Sequence, residues 1–127
     1  MSETPRDWGL TATFRDINGD HSPDIYVCND YWTPDRIWIN DGSGSFDELS
    51  VELLKTTSAS SMGVDFADVD LDGDLDGFIV DMLSRDLQVR KRQQPAFNPL
   101  FMESSLSGNR QQVMHNTLLL QKSDGSF

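Results

Sequence analysis

Two stretches of the chain share one alternation of apolar and polar positions. Residues 8–30 lie over residues 60–82 at a constant offset of 68 − 16 = 52, without a gap. Phe14 falls on Phe66, Asp16 on Asp68, Asn18 on Asp70, Asp20 on Asp72 and Asp24 on Asp76. In both copies an apolar run enters an Asp-rich loop and a second apolar run leaves it, which predicts strand, acidic loop, strand. A second match joins Arg36 to Phe46 (RIWINDGSGSF) with Thr117 to Phe127 (TLLLQKSDGSF). Each of these predicts a third strand running into a Gly-Ser-Phe turn.

A period near 50 residues, built from short strands and Gly/Asp turns, is what a β-repeat shows. The predicted fold class is all-β: antiparallel blades of a β-propeller. Residues 1–48 read as a first repeat with its loop at 16–24, and residues 49–84 as a second with its loop at 68–76. Residues 85–115 are a basic, Pro- and Ser-containing insertion, and residues 116–127 are the final strand and turn of the unit that the insertion interrupts. Propellers close with about 4 to 8 blades. Two units and the start of a third therefore predict a partial propeller, a segment of a longer repeat protein whose remaining blades are its neighbours. Within the insertion, Asp86 to Gln94 predicts a short helix and the rest predicts loop, from Pro95 and Asn98-Pro99 through Ser104 to Asn109. The cluster Arg85, Arg90, Lys91 and Arg92 reads as a solvated face that balances nearby acids.

Charge changes this picture from architecture to chemistry. The 127 residues carry 21 acids against 10 bases, a formal net charge of −11. Seventeen of the acids are Asp, a poor helix former that favours turns and hard cations. Acidity of this size excludes nucleic acid as a partner, and no apolar run is long enough to insert in a membrane. Residues Met1 to Asp7 do not read as a secretory signal. Cys28 cannot form an intramolecular disulfide and sits in the apolar run Ile25 to Cys28, so it reads as a small buried hydrophobe.

The acidic loops place side-chain oxygens at relative positions 1, 3, 5 and 9. These are Asp16, Asn18, Asp20 and Asp24 in the first loop, and Asp68, Asp70, Asp72 and Asp76 in the second. Four such oxygens, with the position-7 carbonyl of Ser22 or Asp74 and water, can complete the shell of about 6 to 8 oxygens that Ca2+ takes. Without a cation the four Asp of the second loop repel one another, so metal binding contributes folding energy. An EF-hand would need a bidentate Glu at position 12, where Val27 and Ile79 stand; that motif is excluded. One Asp-rich turn alone would pass for a surface Asx turn; two in register, each between strands, point to about two ions. The first loop reads as the weaker site, with Asn18 in place of an acid and His21 in place of Gly73 where φ > 0 is expected.

These residues resemble the FG-GAP/VCBS repeats, the calcium-loop propeller blades of integrin α-subunits and of many bacterial surface and secreted proteins. The resemblance rests on Phe14 to Val27, Ile37 to Phe46 and Phe66 to Asp76. Met82 to Asp86, the insertion and Asn116 to Leu120 further resemble bacterial relatives of cartilage acidic protein. The resemblance implies calcium ions that rigidify the loops, a location outside the cell or on its surface, and use in adhesion or in binding a protein or glycan ligand. By position it carries the metal role to the eight loop residues named above. Two departures stand out: His21 replaces the usual Gly, and Gly77 stands where the first unit has Ile25, which would weaken the start of that strand.

The alternative is a calcium-dependent propeller hydrolase or lyase, with a loop carboxylate as general base and Asp65 or Asp81 as spare carboxylates. His21 and His115 do not assemble into a nucleophilic triad by position, so the reading is non-catalytic. Trp8 and Trp38 read as core or blade-to-blade packing, and Trp32 as the better candidate for ligand contact.

Overall fold

The computed structural model describes residues 7–31, 33–93 and 110–127. Trp32 and the segment from Pro95 to Asn109 lie outside the described residues. The chain is mostly β. Its elements are β1 (Gly9–Arg15), β2 (Asp24–Asn29), β3 (Arg36–Asn40), β4 (Phe46–Glu48), β5 (Thr56–Ser58), β6 (Ser61–Ala67), β7 (Asp76–Asp81), α1 (Leu87–Gln93), β8 (Gln111–Val113) and β9 (Thr117–Leu119).

Strands β1 to β4 form an antiparallel meander in sequence order, and a second antiparallel sheet has the order β6-β7-β9. Neither sheet closes on itself. The first three strands of the four-stranded sheet match the three strands of the other. Phe14 opposes Ile25 as Phe66 opposes Gly77, and Tyr26 opposes Ile37 as Phe78 opposes Leu118. Strand β9 therefore holds the place beside β7 that β3 holds beside β2. The arrangement is that of antiparallel blades of a partial propeller.

The core lies between the two sheets. Tyr26, Cys28 and Ile37 of the first sheet and Phe66, Ile79 and Leu119 of the second are buried together with Ile17 and Leu54. The rings of Tyr26 and Phe66 meet edge to face at 5.7 Å, an arrangement aromatic pairs prefer. Burial pushes the Cys28 thiol up to about 12, which keeps it protonated and inert.

Gly77 lies within β7 and opposes Phe66 there. A Cβ there would meet the Phe66 ring at 3.2 Å, so the missing side chain is what lets Phe66 fold flat over β7 and reach Tyr26. In the first sheet Ile25 fills that place, and Phe14 stays 64% exposed where Phe66 is 5% exposed.

Three other expectations change. Strand β8 occupies a stretch that the sequence reads as loop, and it pairs with β5 in parallel, not antiparallel. Three-residue strands rich in Thr, Ser and Gln carry no alternation to read, and their partner is fixed by where the insertion returns. Trp8 is not in the core of these two sheets: it is 63% exposed, and its ring meets that of Tyr31 edge to face at 5.7 Å. It precedes β1 at the rim, where no second sheet covers it. Helix α1 begins after Asp86, whose Oδ1 accepts from the Gln88 N–H at 2.8 Å and the Val89 N–H at 3.1 Å, an N-cap.

A buried polar network crosses the core. Asp35 accepts from the Asn29 N–H (2.8 Å), the Tyr26 hydroxyl (2.8 Å) and the Ser61 hydroxyl (2.6 Å), so one carboxylate ties β2 to the start of β6. Burial pushes its pKa up from 3.8 to about 6, although all three donors oppose the rise. Where the insertion rejoins, buried Arg110 donates to the Leu54 carbonyl (3.1 Å), to Glu48 (2.7 Å) and to the Leu49 carbonyl. Burial raises the Glu48 pKa, but Arg110 and Arg36 together outweigh it and hold the group below its usual value.

Because Asp35 binds its proton more tightly in the folded state, stability is greatest below its unfolded pKa and falls as pH rises toward about 6. Denaturant unfolding in chelator should show that loss between about pH 4 and pH 6.5, and Asp35→Asn should flatten it. An unchanged slope in the variant would assign the dependence to other groups.

Candidate metal centre

Each acidic loop is a chain of Asx turns hung on one buried carboxylate. Asp24 and Asp76, at position 9, are almost wholly buried at the first residue of β2 and β7. Asp24 Oδ2 accepts from the Ile17 N–H (2.8 Å) and the Asn18 N–H (3.3 Å), while its Oδ1 accepts from the Asn40 N–H (2.9 Å). Asp76 Oδ2 accepts from the Val69 N–H (3.0 Å), and its Oδ1 from the Gln121 N–H (2.9 Å). One carboxylate thus closes its own loop and holds the end of the third strand. With its amide oriented to satisfy both ends, Gln121 also donates to the Ile17 carbonyl at 3.0 Å and the Leu75 carbonyl at 2.9 Å, linking the two loops. Sequence reasoning assigned position 9 only to a metal. The signal for its second role was present in the match of Asn40 with Gln121 at the ends of the third strands.

In the second loop, carboxylate oxygens of Asp68, Asp70 and Asp76 lie within 4.8 Å of one another, an arrangement able to hold a metal ion. Asp72 is not in that group; it turns its Oδ1 to the Asp74 N–H at 3.0 Å. Asp68 accepts from the Asp72 and Gly73 N–H groups, both at 3.1 Å. Partial desolvation raises the Asp70 pKa, and the charges of Asp72 and Asp76 raise it further.

In the first loop, Asn18 breaks the carboxylate cluster. Its amide donates to Asp20 Oδ2 at 2.9 Å and its Oδ1 accepts from the Asp20 N–H at 3.1 Å, while Asp20 Oδ1 accepts from the Ser22 N–H at 2.8 Å. The Asn18 amide and then the Ser22 N–H hold Asp20 below its usual value. Asp16 Oδ2 accepts from the His21 N–H at 2.9 Å, but its Oδ1 is buried with no partner. A buried, unpartnered carboxylate oxygen costs free energy unless a donor or a cation reaches it. The second loop brings three carboxylate oxygens together and could hold a hard divalent ion, while the first leaves one buried oxygen, Asp16 Oδ1, without a partner.

The backbone evens out one expected asymmetry. His21 is left-handed at φ 70°, but so is Leu71 in the second loop at φ 65°. Gly19 (φ 75°) and Gly73 (φ 98°) take the other left-handed position of each loop. Both loops thus need φ > 0 at positions 4 and 6, and each spends its glycine on one of them. Leu71 is the more costly exception, because His adopts this region more readily than an aliphatic residue. Leu71→Gly should therefore stabilise the protein by about 1 kcal/mol, and His21→Gly by less. Denaturation midpoints check the ranking; a loss of stability in Leu71→Gly would contradict it.

A family model described as an FG-GAP-like repeat matches residues 5–79. The matched span holds both acidic loops and ends before Met82, so it leaves the narrower likeness to cartilage acidic protein outside it. No curated protein and no solved structure matches the chain.

Proposed function

The chain belongs to the FG-GAP-like repeat family, and on that premise we propose that it is a calcium-binding, non-catalytic adhesion or ligand-binding segment of an exported protein. The observation that carries the calcium reading is the convergence of Asp68, Asp70 and Asp76 within 4.8 Å. Ca2+ suits this donor set because it takes hard oxygens and tolerates irregular geometry, whereas the imidazole of His21 suits softer metals. Asp68, Asp70 and Asp76 would hold the ion in the second loop. Asp16, through its orphaned Oδ1, would do so in the first with Asn18, Asp20 and Asp24. The role of the ion is structural: it neutralises crowded carboxylates and fixes the loop that positions two strands.

Support for a non-catalytic role comes from the family, whose repeats typically serve as binding modules, and from the surroundings of the two histidines. His21 is exposed on a loop, and the His115 ring faces the Asn116 carbonyl at 2.8 Å. Asp81, a spare carboxylate by sequence, accepts from the Ser58 hydroxyl at 2.5 Å and the Ser60 N–H at 3.2 Å, and so acts as a strand tie. The exported location and the protein or glycan ligand follow from the family's usual setting. Among the described residues no helix is long and apolar enough to cross a membrane.

Calcium at a hundredfold over its Kd adds about 2.7 kcal/mol per site, a rise in Tm on the order of 10 °C. Titration calorimetry on chelated protein should find about two sites, and Asp68→Ala should abolish the second-loop site while sparing the first. Acidification should mimic chelation, because protonated carboxylates release the ion. The absence of both binding heat and a shift in Tm at excess calcium would refute the reading.

A further inference from the structure

Of the ten bases in the chain, four fall between Arg85 and Arg92. Residues 84–93 hold those four and one acid, a charge of 4 − 1 = +3, which leaves −11 − 3 = −14 on the rest of the chain. The sequence predicts that this cluster balances nearby acids, and the structure gives it none to balance. Arg85, Arg90, Lys91 and Arg92 are all exposed, and among the described residues none of them forms an ion pair, although Arg15, Arg36 and Arg110 each do. Asp86, the one acid of the segment, turns its Oδ1 to the Gln88 and Val89 N–H groups as the cap of α1. The acidic loop enters β7 at Asp76, whereas α1 follows from the far end of that strand, past Asp81. Charge of one sign gathered on an exposed segment attracts a partner of the other sign.

The order of residues on the helix narrows what that partner is. An α-helix turns about 100° per residue, so Arg90, Lys91 and Arg92 fan over about 200° of the surface of α1. Leu87 falls between Arg90 and Lys91 on that surface, and Val89 lies about 200° from Leu87, beside Arg92. Apolar and basic side chains thus alternate around the helix instead of separating into two faces. A membrane surface requires that separation, because a helix lies in the interface on one apolar side. Single-stranded nucleic acid stacks its bases on aromatic rings, and residues 84–93 contain none. A flexible linear chain with anionic groups along it can bend around such a fan and meet each cation in turn. We propose that Arg85 and the basic residues of α1 bind a linear anionic glycan through its sulfate or carboxylate groups. The proposal rests on the ligand-binding reading above and names the chemical class of that ligand. Each guanidinium can grip an oxyanion with two parallel N–H donors, and Lys91 adds a point charge. These contacts are electrostatic and exposed, so salt weakens them.

Surface plasmon resonance of the full chain over immobilised dextran sulfate, polygalacturonate and neutral dextran tests this, in chelator so that calcium cannot bridge glycan and acidic loops. The chain should bind an anionic glycan and not neutral dextran. Binding to dextran sulfate alone assigns the recognised group to sulfate, and binding to polygalacturonate alone assigns it to carboxylate. Arg90→Gln with Lys91→Gln and Arg92→Gln should weaken binding roughly tenfold or more and flatten its salt dependence, because each lost cation is one counterion-releasing contact fewer. Gln keeps the helix propensity and the three side chains are exposed, so the fold is spared. Arg15→Gln with Lys55→Gln and Lys122→Gln changes the net charge equally at exposed positions elsewhere, and should leave binding nearly unchanged. No binding to either anionic glycan, an equal loss in the two triple variants, or tighter binding to phosphatidylglycerol vesicles or duplex DNA would each overturn the proposal. Arg85→Gln with Lys91→Gln serves if circular dichroism shows that the α1 variant has not folded. The α1 variant should take up calcium with native heat, so a failure of the calcium reading and a failure of the glycan proposal are read separately.

Discussion

The structure depends on one interaction made twice: a buried aspartate at the last position of each acidic loop, hydrogen-bonded to the loop on one side and to the third strand on the other. Asp24 does this between Ile17 and Asn40, and Asp76 between Val69 and Gln121. A carboxylate with almost no exposed surface is expensive to bury unless hydrogen-bond donors or a cation reach it. Backbone N–H groups supply part of that environment. A cation held by the rest of the loop would supply the remainder, which is why the loop's sequence and its strand geometry cannot be varied independently.

From this clasp the rest of the blade follows. Fixing the end of the loop sets the start of β2 and β7, and so which of their residues face the neighbouring sheet. Tyr26 and Ile79 are delivered to the core from the two copies of one strand, but from opposite faces of it. The sheets consequently stack like successive steps instead of facing each other as mirror halves. Asp35 then joins the two steps through Tyr26 and Ser61, and Arg110 secures the point where the insertion returns.

The strand-loop-strand units, the third strands and the acidic loops were legible because each rests on local alternation and turn chemistry. The buried fate of Cys28 was legible for the same reason. What the pattern did not disclose was set by distant partners. Gly77 looks like a flaw until the Phe66 ring is seen over it, and the parallel pairing of β5 with β8 joins segments 111 − 56 = 55 residues apart. The strain at Leu71 was hidden because the glycine that marks one left-handed position says nothing about the other. Of the eight proposed ligands, three converge in the structure. The second task of Asp24 and Asp76, holding the third strand, needed the match between Asn40 and Gln121 to be read as a contact.

The central claim is that these loops exist to hold calcium, and crystals grown with the ion test it most directly through anomalous scattering. The account predicts two peaks. One lies about 2.3–2.6 Å from oxygens of Asp68, Asp70 and Asp76, and the other at the same distance from Asp16 Oδ1. Electron density with no peak in either loop at saturating calcium, and with Asp16 Oδ1 and the Asp68 cluster bonded instead to water or lysine, would contradict it.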